Sequence, residues 1–167
     1  MKRLAMIGIA VLALCAVNAA AAGEGSWSPW EPTFQGAITV PAGFVCPFGI
    51  SAEPVREDLR IRYHYDEDGN IDGDQVVGPL IARITNTATG MSVVRNLSGL
   101  GTVFYQPDGS WNAVLNGNLL LFLRATDTPS SQLLLIHGQS VLHGSPTGQK
   151  TLVSHTGGVE NLCETLA

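Results

Sequence analysis

Charged side chains are scarce in this 167-residue chain, at 14% of residues against about 25% in an average globular protein. That scarcity excludes a charge-rich disordered chain and a coiled coil, both of which depend on abundant charged positions. Positive charge is scarcer still: 9 residues are Lys or Arg against 14 acids, and beyond residue 2 the single lysine is Lys150. No basic run exists to meet phosphates, which excludes nucleic-acid binding. After residue 17 no stretch approaches the ~20 continuous apolar residues of a membrane helix. Amphipathic helical patterning over about 12 residues is also missing beyond the N-terminal segment. The chain has no Gly-x-Ser-x-Gly elbow, no His-x-x-x-His pair and no phosphate-cradling glycine loop.

What is present begins with an address. Met1-Lys2-Arg3 precedes an apolar run from Leu4 to Val17 and an Ala-rich stretch ending at Ala22. Two cations, a short apolar core and small residues form a secretory signal over residues 1–22, cleaved after Ala22. Cys15 follows Leu14 rather than a small residue, which argues against lipid attachment there. Removal of the signal takes Lys2, Arg3 and Cys15, leaving seven basic residues against 14 acids. Cys46 and Cys163 remain. In an exported chain two such cysteines are expected to pair, tying an early strand to the C-terminal tail. Secretion is therefore the expected localisation.

Residues 23–36 form an arm carrying Trp27 and Trp30, and residues 37–167 read as a single domain of short apolar segments split by turns. Leu59, Ile61, Tyr63 and Tyr65 alternate with Asp58, Arg60, Arg62 and His64, the period-two signature of a strand with one buried face. Asp66-Glu67-Asp68-Gly69-Asn70 then reads as a hairpin turn. Further strands are expected over 37–40, 44–50, 76–85, 91–97, 102–106, 111–115, 119–126, 132–142 and 150–155. Asn116-Gly117 gives the strongest two-residue hairpin signal, and Val159 to Leu166 has the composition for one or two helical turns. Strands joined by two to five residues pair as antiparallel neighbours. A continuous meander leaves two open edges unless it closes. The expected fold is thus all-β, an antiparallel meander closed into a small up-and-down β-barrel, with a two-sheet β-sandwich as the alternative. Leu119–Leu123 and Leu133–Ile136 are apolar on both faces, so something must cover the outer one. The arm, the tail, a ligand surface or a second copy of the chain in a homo-oligomer are the candidates.

The turn residues carry a resemblance. Thr85-Asn86 followed by Thr89-Gly90, then Asn96-Leu97-Ser98-Gly99, then Asp108-Gly109-Ser110 resemble the turns of small exported β-rich proteins of actinobacteria. Those proteins place one cysteine near each end of the mature chain. The resemblance spans about residues 44–163 and implies an exported bacterial β-rich domain of uncharacterised function, with no catalytic residues to carry over.

Chemistry-bearing residues are few. Asp68-Gly69-Asn70-Ile71-Asp72-Gly73 matches the first half of a looped calcium site, with Asp68, Asn70 and Asp72 on alternate residues. The twelfth position is Pro79 rather than a bidentate Glu, so a solvated hairpin tip is the competing reading. His64, His137, His143 and His155 show no metal-ligand spacing. Trp27-Ser28-Pro29-Trp30 reads either as a packing element or as an aromatic platform for a sugar or partner. The sequence leans towards a binding or structural role, with no cofactor beyond the calcium candidate. A small barrel holds one apolar molecule, and Phe104, Leu121, Leu123 and Leu135 are the expected lining. The enzyme alternative is a barrel isomerase or cyclase acting on a lipid or phenolic substrate through His64, Arg83 or Tyr105. A third alternative is an adhesion or assembly module using the Leu-rich face.

Overall fold

The computed structural model describes residues 25–167; the export signal expected over residues 1–22, with Cys15, lies outside them. Strands in chain order are β1 (Ser26–Trp27), β2 (Glu31–Thr33), β3 (Ile38–Val40), β4 (Ile50–Glu57), β5 (Leu59–Tyr65), β6 (Ile71–Gly78) and β7 (Leu80–Asn86). They continue as β8 (Ser92–Asn96), β9 (Gly99–Tyr105), β10 (Trp111–Leu123), β11 (Gln132–Gly144), β12 (Lys150–His155) and β13 (Val159–Asn161), before one helical turn, α1 (Leu162–Thr165). The named strands all pair antiparallel. The fold is all-β, as the alternation predicts.

Closure is where the structure departs from expectation. Nine strands form one sheet along β1-β5-β6-β9-β10-β11-β12, with β2 on β5 and β13 on β11; β3-β4-β7-β8 form a second. Neither closes, so the barrel is not formed and the two-sheet alternative describes the molecule. The cause is local. The chain changes sheet at Asp58, at Pro79 and at Leu97-Ser98, so β4 pairs β7 rather than β5, and β6 pairs β9 rather than β7. Pro79 has no N–H to continue a ladder, and the expected 76–85 strand divides there into β6 and β7. The corners bond to one another: the Asp58 amide donates to the Pro79 carbonyl at 3.0 Å, and the Leu97 amide to the Leu80 carbonyl at 2.7 Å.

A seam of glycines crosses the large sheet. Gly78 pairs with Gly99, Gly99 with Gly117, and Gly117 with Gly138. At Gly117 (φ +115°) a Cβ would lie 2.7 Å from both the Gly99 Cα and the Ser98 carbonyl, and at Gly78 (φ +141°) 2.2 Å from the Asp58 carbonyl. Strand interiors carry glycine where backbones approach this closely. The seam explains why Asn116-Gly117 makes no hairpin. A type I′ turn needs positive φ at both residues, and only Gly117 has it. The two segments expected over 111–115 and 119–126 are instead one 13-residue strand.

The Leu-rich strands are covered by the chain itself. Leu120, Phe122, Leu133 and Leu135 pack with Ile50, Ala52, Ala82 and Ile84 of the small sheet and with Leu162 and Leu166 at the C-terminus. Leu119, Leu121, Leu123, Leu134 and Ile136 pack with Ala113, Leu115, Leu142 and Leu152 of their own sheet. At about 1.5–3 kcal/mol per buried aliphatic side chain, these two clusters dominate the stabilisation. The loop joining β10 to β11 folds back on β12, where Thr128 exchanges backbone hydrogen bonds with Lys150 and Leu152 at 2.9 and 2.8 Å. Asp127, whose side chain has no exposure, sits in that fold. It accepts from the backbone amides of Arg124 and Lys150, both at 2.8 Å, and from the Arg124 guanidinium.

Cys46 and Cys163 form a disulfide, with Cα atoms 5.3 Å apart. It joins α1 to the irregular segment before β4 rather than two strands, because residues 42–48 turn and bend where a strand was expected over 44–50. The turn motifs serve the backbone. Asn86 Oδ1 accepts the Ala88 amide at 2.9 Å while its Nδ2 donates to the Leu166 carbonyl at 2.8 Å. Asn96 and Asp108 accept the Ser98 and Ser110 amides, each at 2.9 Å. Such side-chain bonds replace ladder bonds where strands end. Arg95 of β8 clamps the sheets together through Glu160 of β13, at 2.8 and 2.7 Å.

Candidate functional site

Because the seam carries no side chains, space is left between the sheets. A cavity of about 340 Å³ opens there, at the lower end of the about 300–1,000 Å³ typical of small-molecule sites. Gly78, Gly99, Gly101 and Gly117 border it from the large sheet, with Leu59, Val76, Leu100, Leu115, Leu120 and Phe122 around them. Ile38, Ala52, Pro54, Leu80 and Ala82 supply the facing wall. Among the described residues, polar lining is confined to Gln35, Asn116 and Asn118, and no ionisable side chain lines the cavity. Gln35, Asn116 and Gly117 are exposed and mark its mouth.

The lining expected from the sequence lies elsewhere. Leu121 and Leu123 are buried in the core within the large sheet, Leu135 in the core between the sheets, and Phe104 is 42% exposed. None of the four lines the cavity. Alternation identified buried strand faces, but not which stretch of a face is left unfilled. The one legible signal was the recurrence of glycines (Gly99, Gly101, Gly117) in the short gaps between apolar segments.

A second cluster stands on the outer face of β5. The Arg62 guanidinium lies 4.5 Å from the Trp27 ring centre and 4.6 Å from that of Trp30, a double cation–π stack. Its Nε donates to Gln75 Oε1 at 2.8 Å, and Gln75 donates on to Thr102 Oγ1 at 2.9 Å. Trp27 meets His64 edge-on at 4.9 Å, and His64 Nδ1 lies 2.5 Å from Asp72 Oδ1. The arm thus packs on β5, not over the Leu-rich strands.

This geometry bears on the other candidates. Asp72 is committed to His64, and Asn70 donates to Asp66, whose Oδ1 also takes the Asp68 and Asn70 amides. Asp68, Asn70 and Asp72 therefore do not converge as the calcium reading required. Among the described residues no three His, Cys, Asp or Glu side chains gather at metal-binding distance. His64, Arg83 and Tyr105 do not meet either: Arg83 is exposed on the small sheet and Tyr105 donates to Asp74. Partial burial and that hydrogen bond push the Tyr105 hydroxyl up to about 12. No helix among the described residues is long and apolar enough to cross a membrane. Compared with protein-family models, curated proteins and solved structures, the chain finds no match.

Proposed function

We propose that this is an exported bacterial binding protein that holds one small apolar molecule between its two sheets. The observation that carries the reading is the cavity itself: about 340 Å³, walled by aliphatic side chains and glycine backbone, open at one polar rim. Burying apolar ligand surface there supplies about 25 cal/mol per Å². The signal-like residues 1–22 and the Cys46–Cys163 disulfide support a role outside the cytoplasm, where such bridges persist.

Gly101 gives a clean test. Its backbone is not left-handed, and a Cβ built there meets only the Leu115 side chain, at 3.4 Å. Gly101→Leu places an isobutyl group in the cavity without backbone strain. Wild-type protein is expected to enhance the fluorescence of an apolar environment-sensitive dye saturably at one site, and folded Gly101→Leu protein to lose that enhancement. Equal enhancement by both proteins would place the dye elsewhere and refute the reading.

A further inference from the structure

The rim chemistry narrows the ligand class. Asn116 and Asn118 sit on either side of Gly117, and both line the cavity. Their carbonyl oxygens are already used: Gln139 Nε2 donates to Asn116 Oδ1 at 3.1 Å, and His137 Nδ1 donates to Asn118 Oδ1 at 2.7 Å. An amide whose oxygen is engaged still has two N–H donors on its nitrogen. The mouth therefore offers donors. Among the described residues no Lys, Arg or His lines the cavity, so an ionised head group there would lose water without gaining a counter-charge. We propose that the cavity takes an uncharged lipid-like molecule, an alkyl chain ending in a hydrogen-bond acceptor such as an ester carbonyl, with the chain among the leucines and the carbonyl at Asn116 and Asn118. This rests on the cavity being the ligand site.

Three probes sharing an alkyl chain separate the terms: methyl octanoate, octanoate at neutral pH, and octane, each titrated to displace the apolar dye from wild-type protein. Methyl octanoate is expected to displace the dye at a concentration about tenfold below that of either other probe. Asn116→Asp and Asn118→Asp replace a donor by an acceptor at nearly constant volume. Each is expected to weaken methyl octanoate by about tenfold and to leave octane unchanged. If octanoate matches the ester, the uncharged-ligand inference falls; if octane matches it, the acceptor head group falls. In both cases cavity binding itself survives. If the dye binds no cavity at all, the functional reading fails first. The wild-type comparison needs no variant to fold.

Discussion

Acid should weaken this protein through one buried carboxylate, Asp127. Burial acts most strongly on it and raises its pKa. The Arg124 side chain, the Lys150 and Arg124 backbone amides and the Lys150 charge together outweigh that effect and hold Asp127 at about 2. In the unfolded chain the group returns to its ordinary 3.8. A folded pKa below the unfolded one means that the ionised form favours the native state. The contribution is complete above about pH 5 and is lost as pH falls from about 4 through 2. The separation corresponds to about 2 kcal/mol. Asp127→Asn removes the titration and leaves Arg124 and Lys150 facing a neutral group, at a cost of about 3 kcal/mol near neutral pH. Urea unfolding followed by tryptophan fluorescence, at a series of pH values from neutral down to about 2, measures both proteins. The gap between them should shrink by about 2 kcal/mol across the acid limb. A gap that stays constant to about pH 2 would refute the claim that ionised Asp127 holds the folded-back loop to β12.

Other perturbations have equally definite outcomes. The disulfide closes a loop with a sequence separation of 117, so removing it through Cys46→Ala with Cys163→Ala should cost about 4–5 kcal/mol on the chain-entropy estimate, read from denaturant midpoints. Gly117→Ala should cost about 3 kcal/mol or more, because positive φ and a 2.7 Å approach add. Gly69→Ala, at φ +82° with nothing within 4 Å, should cost only about 1 kcal/mol. Arg62→Ala should release the Trp27–Trp30 arm, speed amide exchange at Ser28 and Tyr63, and cost about 1–2 kcal/mol. Unchanged exchange at those amides would show that β1 and β2 hold the arm without the stack.

Much of the local structure was legible in the sequence. Leu59–Tyr65 is a strand, Asp66–Asn70 a hairpin turn, and Lys150–His155 has the expected boundaries, because period-two patterning and turn chemistry are local properties. The Cys46–Cys163 pair follows from there being two cysteines in the body of the chain. The Leu-rich segments had to be covered on both faces, and they are. The sheet assignment was not legible. Pro79 lies inside the strand expected over 76–85 and Asp58 in the alternating pattern before Leu59, yet both are corners between sheets, bonded to each other across residues distant in sequence. Asn116-Gly117 misled for a related reason. The same dipeptide that closes a hairpin also suits a strand interior where Gly99 presses against it. The cavity was hidden by the same fact, since it is a gap left by glycines on three strands whose register no single segment reveals. Phe104 looked like lining because alternation makes it apolar at a strand position, but its side of β9 carries Trp27 and His64.

Ligand entry between the sheets can be read in methyl-resolved NMR of isotope-labelled protein titrated with methyl octanoate. Saturable shifts are expected at the methyls of Leu59, Leu100, Leu115 and Leu120, with those of Leu123 and Leu135 little changed. Shifts that avoid these four residues, or no saturable shift at all, would rule out binding in the cavity.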